Sequence, residues 1–280
     1  MIVEPARRDE FLALMRETYA DGAMSEAEFE WWFDRNPVPP RVVSAARDED
    51  GTTLGVLAMS PVRTGPCLAA CSVHGVTTPA ARGRGVFSTL ELHNEREAAA
   101  AGAKWALGFT NPMAGPILVG KLGWEDVASL RIWARPKRLW RRGEGGMRAA
   151  ELSSVAPRSL PGRHIVRDDE YLRWRYADSP RRYAQAGNAI VTHAVWHGYS
   201  SAVICESGVA RDLRRAAAAV DANLAVALVN PGEERRYIAA GFVPTPRTIR
   251  FIGKRLTDDA PPLPHDRRAW HLELGDVDFF

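Results

Sequence analysis

A glycine-rich turn at residues 76–87 constrains the fold of this chain more than any other stretch. It reads Val-Thr-Thr-Pro-Ala-Ala-Arg-Gly-Arg-Gly-Val-Phe, and it joins an apolar, β-prone run to a helical pattern that continues to Ala101. The N–H groups at a helix start lack intrahelical acceptors and carry the positive end of the helix dipole. Glycines let a phosphate approach the backbone closely. The turn therefore predicts a strand–loop–helix unit that binds a pyrophosphate, with an ordinary surface turn as the alternative.

Two common phosphate-binding signatures do not fit this turn. A Walker loop needs Lys and then Ser or Thr directly after its second glycine, and Val86 and Phe87 stand there. A dinucleotide-binding G-x-G-x-x-G needs a third glycine at the position of Ser88. The phosphate ligand is therefore of another kind.

The remaining pattern resembles the R/Q-x-x-G-x-G/A signature of the GNAT superfamily of N-acetyltransferases. Arg82 and Gly85 fill the first two fixed positions, and Phe87 stands where Gly or Ala is usual. The resemblance implies that acetyl-CoA or another acyl-CoA is the co-substrate and that the loop amides bind its pyrophosphate. The coenzyme contacts predicted in this way are Val76, Thr77, Thr78, Arg82, Gly83, Arg84, Gly85, Val86, Phe87 and Asn111.

A second stretch, residues 111–124, supports the same resemblance. It is similar to the family segment N-x-x-A-x-x-x-Y-x-x-x-G-F, with one extra residue before the glycine. Asn111, Ala114, Gly123 and the aromatic Trp124 match. Val119 holds the position of the tyrosine that is the usual general acid of the family, and a valine cannot donate a proton.

The order of predicted elements also follows this family. Helices at 8–20 and from Ser25, the latter with Glu28 in a capping box, precede strands at 41–47, 53–60 and 67–77. Helix 86–102, strand 104–109, helix 112–121 and strand 124–135 follow, and residues 1–4 supply the family's additional first strand. The predicted fold class is α/β (more exactly α+β), with two GNAT-like domains that each hold a mixed, mostly antiparallel sheet flanked by helices.

The second half of the chain repeats features of the first. Residues 171–180 echo residues 29–37, and residues 230–242 again resemble the second family segment. The predicted domains are 1–142 and 163–280, joined by a Gly/Ser/Pro-rich linker at 143–162. The second half has strands near 187–195, 200–206, 224–229 and 244–254, helices at 209–221 and 231–240, and a last strand with a polar turn at 270–276.

The strand-to-helix position of the second half is degenerate. It holds Glu206-Ser207-Gly208, with one glycine and an acidic residue that would repel a pyrophosphate. We therefore expect a tandem arrangement with one working coenzyme site, in the first half.

Composition limits the cellular location and the binding partners that we expect for this chain. No run approaches 18 uninterrupted apolar residues, and the first ten residues show no signal-peptide core. Three cysteines without metal-like spacing predict a reduced, cytoplasmic setting and no metal. A net charge of +3 is too small to indicate nucleic acid, although basic clusters occur at 135–142 and 211–215. The predicted partner is a small-molecule amine, with no membrane, and the predicted state is a monomer or homodimer.

His74 is the candidate catalytic base. It lies on the strand before the loop, and alternation places it on one face with Val76 and Thr78 if no bulge intervenes. Imidazole titrates near neutral pH and accepts an amine proton, as a histidine or glutamate on this strand does in some GNATs. A hydrogen-bonded histidine near the core is the alternative.

Glu28, Trp32 and Asp34 are the candidate acceptor contacts, because the family's second helix borders the acceptor. A carboxylate attracts an ammonium group and an indole face holds it. Packing and capping are the alternatives for these residues.

The resulting prediction is an N-acyltransferase that moves an acetyl or short acyl group directly from acyl-CoA to the amine of a small molecule, such as an amino sugar or specialised metabolite. Two other functions remain open. One is a tandem GNAT-like transferase that uses aminoacyl-tRNA as the donor, and the other is a non-catalytic acyl-CoA-binding protein.

Overall fold

A computed structural model of the chain describes residues 1–19, 23–65, 67–137, 159–196 and 198–277. They form two compact units, each discontinuous in sequence. The first unit is Met1–Val127 with Phe251–Leu263, and the second unit is Ala128–Arg250 with Pro264–Phe280. The predicted domains were continuous, and the predicted linker at 143–162 lies largely outside the described residues, so those boundaries stay a prediction. No helix in the described ranges is long and apolar enough to span a membrane.

The described residues contain strands and α-helices in an interleaved order. The strands are β1 Ile2–Pro5, β2 Val42–Arg47, β3 Thr53–Thr64, β4 Cys67–Thr77, β5 Trp105–Thr110, β6 Glu125–Pro136, β7 Tyr183–Ala186, β8 Ala189–Trp196, β9 Tyr199–Glu206, β10 Leu224–Leu228 and β11 Val243–Arg255. The helices are α1 Arg8–Tyr19, α2 Glu26–Phe29, α3 Val86–Ala100, α4 Gly115–Lys121, α5 Asp169–Leu172, α6 Ala210–Ala219 and α7 Glu234–Ala239. This mixed α/β composition confirms the predicted fold class.

The first unit orders its strands as β1-β2-β3-β4-β5, followed by the end of β11. β1 to β4 pair antiparallel, and β4 pairs parallel with β5. Because parallel neighbours need a crossover connection, α3 links these two strands. The additional first strand predicted at residues 1–4 is confirmed as β1.

The second unit orders its strands as β11-β6-β10-β9-β8-β7, using the first part of β11. β9 and β10 pair parallel with α6 between them, and β7, β8 and β9 pair antiparallel. The sequence analysis missed β7, a strand of four residues. Of the last strand and polar turn predicted at 270–276, the strand was wrong, since Trp270 makes only an isolated bridge to Arg163. A 3-10 turn lies at Leu274–Asp276.

Helix ends follow local chemistry. Ser25 and Glu28 form the predicted capping box at the start of α2, with the Glu28 N–H donating to Ser25 Oγ at 3.2 Å. A π-helical turn, Glu30–Asp34, continues from α2. Gly102 has a φ of 95° just beyond α3, so a glycine ends that helix as predicted.

Candidate functional site

The loop between β4 and α3 presents free backbone donors. Gly83 and Gly85 both have a φ of 78°, and a Cβ at either position would meet no atom within 4 Å. The glycines are therefore required by the left-handed backbone and not by crowding. Among the described residues, the N–H groups of Val86, Phe87 and Ser88 donate to no backbone carbonyl. An open helix start of this kind binds an anion through its N–H groups.

The two loop arginines differ in their surroundings. Both are exposed, and Arg84 donates to the Asp48 carboxylate at 3.1 Å. Arg84 is thus held by the turn between β2 and β3. The Thr78 N–H donates to the Leu54 carbonyl at 2.9 Å, which fixes the loop's first residue to β3.

Phe87, the departure from the family pattern, points its ring into the protein interior. The ring packs against two core clusters of the first unit. A Cβ at Gly75 would come within 3.1 Å of Phe87 Cε2 and 2.7 Å of Leu57 Cδ1. The unusual side chain therefore rests on β4 and leaves the loop amides uncovered.

A bulge changes the environment predicted for His74. β3 and β4 pair as Val56 with Val76 and as Ala58 with Val73, so Leu57 faces both His74 and Gly75. The simple alternation that grouped His74, Val76 and Thr78 on one face is broken there. His74 takes a positive φ of 52°.

The His74 ring lies against the aromatic end of the second helix. Its centroid is 5.9 Å from that of Trp32 and 6.1 Å from that of Phe33, both edge-on. Of the predicted acceptor contacts, Trp32 is therefore the one brought to His74, and its side chain is buried.

The other two predicted acceptor residues are engaged in structural contacts. Glu28 accepts from the Ser25 N–H and hydroxyl, both at 2.9 Å. Asp34 accepts a hydrogen bond from Arg8 and forms an ion pair with Arg41. Capping and charge pairing account for both carboxylates, and their role toward an acceptor stays a prediction.

β4 and β5 part beside the loop. Their pairing runs from Ala69–Trp105 to Cys71–Leu107, while β4 continues to Thr77 and β5 to Thr110. Backbone groups beyond the last pair face the gap between the strands. We call this gap the β4–β5 wedge, and it lies next to the N-terminal end of α3.

Asn111, a predicted coenzyme contact, follows β5 and organises the start of α4. Its Oδ1 accepts from the N–H groups of Met113 and Ala114, each at 2.9 Å, and its carbonyl accepts from Gly115 at 3.0 Å. Val119 packs against the core cluster beneath α4, so its side chain contributes apolar contact.

Sequence reasoning missed a polar cluster beneath α3. Ser72 of β4 donates to Glu91 Oε2 at 2.9 Å, and Glu91 is fully buried. Burial raises the pKa of Glu91 to about 8, assisted by the nearby charge of Glu95 and opposed by the Ser72 hydrogen bond. Glu91 therefore holds a proton at neutral pH.

Glu95 completes that cluster. It accepts from Trp124 Nε1 at 2.7 Å and from Lys254 Nζ at 2.6 Å. The aromatic residue of the second family segment is thus joined to α3 by an indole hydrogen bond. The available sequence signal was the presence of polar residues at helical spacing on the face that α3 buries, namely Glu91, Asn94 and Glu95.

The acidic residue of the second unit's strand-to-helix turn does not face a ligand. Glu206 is fully buried and accepts from Tyr176 Oη at 2.6 Å. Arg167 Nη2 lies 3.3 Å from its carboxylate. Glu206 is therefore engaged in buried contacts of its own unit, and the expected repulsion of a pyrophosphate stays a prediction. The basic cluster at 135–142 lies mostly outside the described residues, and Arg135 is buried.

Solved structures resemble this chain over most of its length. A GCN5-related N-acetyltransferase from Kribbella flavida matches with a TM-score of 0.59 and 14% identity, over 91% of this chain and 72% of that chain. One from Anabaena variabilis matches with 0.58 and 12%, over 91% and 73%. A candidate acetyltransferase from Pyrococcus horikoshii matches with 0.61 and 12%, over 99% and 94%. No family model and no curated protein matches the sequence. At these identities the likeness shows the fold, which is that of the GCN5-related N-acetyltransferases, as the two sequence motifs predicted.

Proposed function

We propose that this protein is an acyl-CoA-dependent N-acyltransferase that acts on the amine of a small molecule. The observation that carries the proposal is the open start of α3, where two left-handed glycines and free N–H groups follow the strand that parts from its neighbour. The helix start is suited to a pyrophosphate, and the neighbouring β4–β5 wedge is suited to the extended pantetheine arm of the same ligand. The fold supports the proposal, since solved structures with this fold are described as N-acetyltransferases.

The residues present fit coenzyme A. The N–H groups of the first turn of α3 and the exposed Arg82 would hold the pyrophosphate. The unpaired edge of β4 in the β4–β5 wedge would pair with the amides of the pantetheine arm, as a sheet edge pairs with an extended peptide. Backbone N–H groups on the same strand would polarise the thioester carbonyl.

The acceptor chemistry is assigned to His74. It would take the proton from the amine, and the neighbouring Trp32 would border the acceptor. Val119 has no proton to donate, so the leaving thiolate takes its proton from water or from another group. Direct transfer needs no enzyme nucleophile.

The proposal extends to the domain arrangement, the location and the oligomeric state. We infer a tandem GNAT arrangement with one working site, in a cytoplasmic monomer or homodimer. The parallel pair in each unit, crossed by a helix, supports the tandem interpretation.

Calorimetric titration with acetyl-CoA tests the site. We expect wild-type binding below millimolar concentration and a loss of at least about 100-fold for Gly85→Glu, because a carboxylate would stand among the phosphate donors. Gly102→Glu is the matched control, since Gly102 also has a positive φ and open space and ends the same helix. It should bind within about threefold of wild type. No wild-type binding at millimolar acetyl-CoA would reject the proposal.

Thiol release across an amine panel separates the remaining alternatives. Binding without release for any amine would favour an acyl-CoA-binding protein. Failure to bind acetyl-CoA, together with tRNA binding that weakens steeply with salt, would favour the aminoacyl-tRNA donor.

A further inference from the structure

Strands β9 and β10 of the second unit part as β4 and β5 do in the first. They pair in parallel over three residues, and the last pair is Val203 with Val226. β9 then continues to Glu206 and β10 to Leu228. The backbone groups beyond the last pair need partners, because buried N–H and C=O groups are rarely left unpaired. We call this gap the β9–β10 wedge.

On the β10 side, residues 270–277 bond to a side chain just beyond the end of the strand. Asn230, two residues beyond β10, donates from Nδ2 to the Leu272 carbonyl at 3.1 Å. The Leu272 N–H returns a hydrogen bond to Asn230 Oδ1 at 2.9 Å. One carboxamide thus satisfies both backbone groups of Leu272, in the manner of a neighbouring strand.

On the β9 side, the same segment contacts the end of the strand. Ser207 Oγ donates to Glu273 Oε1 at 2.5 Å. A Cβ at Gly275 would lie 2.7 Å from the Cys205 carbonyl oxygen and 2.1 Å from Tyr176 Oη. The segment therefore contacts the ends of both strands, and Gly275 is needed for its close approach.

The segment is buried and its carboxylates have polar partners. Leu272, Glu273, Leu274 and Val277 are all at most 2% exposed. Arg167 Nη2 donates to Asp276 Oδ1 at 2.6 Å and lies 3.3 Å from the Glu206 carboxylate of β9, so one guanidinium serves both carboxylates. Because a buried carboxylate without a partner is costly, these contacts and the burial indicate that the segment is packed in one fixed arrangement.

We propose that residues 270–277 are a built-in occupant of the β9–β10 wedge. In the second unit they take the place that the pantetheine arm takes in the β4–β5 wedge of the first. The comparison with the first unit rests on the proposed acyl-CoA site, whereas the docking of the segment does not. The consequence is that the second unit is closed to coenzyme A and that the full chain binds one equivalent.

Hydrogen exchange measured on the full chain without coenzyme tests the docking. We expect the amides of 270–277 to exchange within about tenfold of the rate of the β9 and β10 amides. Asn230→Ala should speed exchange in 270–277 by at least about tenfold. Asn188→Ala, at an exposed turn of the same unit, should leave that exchange unchanged.

The wild-type measurement tests the docking of residues 270–277 even if Asn230→Ala fails to fold. Exchange of 270–277 at the rate of an unstructured peptide would overturn the proposal. Native mass spectrometry with acetyl-CoA gives the second readout, in which one bound equivalent is expected. Two equivalents, with new protection at 206–211, would show that the wedge is open. If no acetyl-CoA binds, the proposed acyltransferase function fails, while slow exchange of 270–277 would still establish the docking.

Discussion

His74 is held in a left-handed backbone conformation that most side chains avoid, at a cost of about 1–2 kcal/mol. Asparagine tolerates this conformation and has no basic nitrogen. We therefore expect His74→Asn to keep the bulge and acetyl-CoA affinity, while turnover falls by about 10²–10⁴-fold, the usual contribution of a general base. Steady-state kinetics with calorimetry measures both. A fully active variant would remove His74 as the base.

Gly75, next to His74, is required by crowding. Its Cβ would lie 2.7 Å from Leu57 Cδ1, so Gly75→Ala should destabilise the protein by about 1–3 kcal/mol. Gly120→Ala is the control, because no atom lies within 4 Å of its Cβ and the glycine stands inside α4. That change should stabilise by about 0.5–1 kcal/mol. Thermal denaturation measures both, and an unchanged Tm for Gly75→Ala would contradict the packing of the bulge.

At the scale of elements, α3 connects the glycine loop to the β4–β5 wedge. Its first turn carries the free N–H groups, and Glu91, one turn later, accepts from Ser72 directly after the last β4–β5 pair. The Glu91 carboxyl group therefore joins α3 to β4 at the point where the strands part.

This proton makes the free energy of unfolding depend on pH. The pKa of Glu91 is about 8 in the folded protein against 4.5 for a free glutamate, so between these values the folded state holds a proton that the unfolded state has released. The free energy of unfolding should accordingly fall as pH rises through this window, by up to about 5 kcal/mol. Glu91→Gln keeps a polar partner for Ser72 and should remove this contribution.

Chemical denaturation at pH 5, 7 and 9 measures the effect as the difference between variant and wild type. Glu91→Gln should gain stability relative to wild type as pH rises. Glu97→Gln, at an exposed position on the same helix, is the control and should not change the slope. Parallel pH profiles for wild type and Glu91→Gln would show that Glu91 is ionised in the folded protein.

The sequence predicted the elements of the first unit well because their signals are local. Glycine positions and apolar periodicity define the ends of β4 and α3. The bulge at His74 was not predictable, because it depends on which residue of β3 lies opposite. The capping role of Glu28 followed from its spacing to Ser25. The roles of Asn111 and Asp34 depend on hydrogen-bond and charge partners that a motif does not name.

At the scale of the whole molecule, the two halves share an arrangement of strands and helices that their sequences show only in part. In each, a parallel pair closes over three residues and then parts, with a helix as the crossover. The repeat was visible in residues 171–180, since aromatic spacing is local. The occupant of the β9–β10 wedge was not visible, because residues 270–277 meet β9 and β10 only through folding.

If only the first of the two similar units binds the coenzyme, the coenzyme should slow hydrogen exchange in that unit alone. Ligand that binds only the folded state slows local opening by the factor 1 + [L]/Kd, so acetyl-CoA at 100 times its Kd should slow exchange at residues 82–91 by up to about 100-fold. Residues 206–211, the corresponding turn of the second unit, should exchange at an unchanged rate. Gly85→Glu is the control and should abolish the protection at the same ligand concentration. Protection at 206–211 alone would place the coenzyme in the second unit and reverse the assignment of the working half.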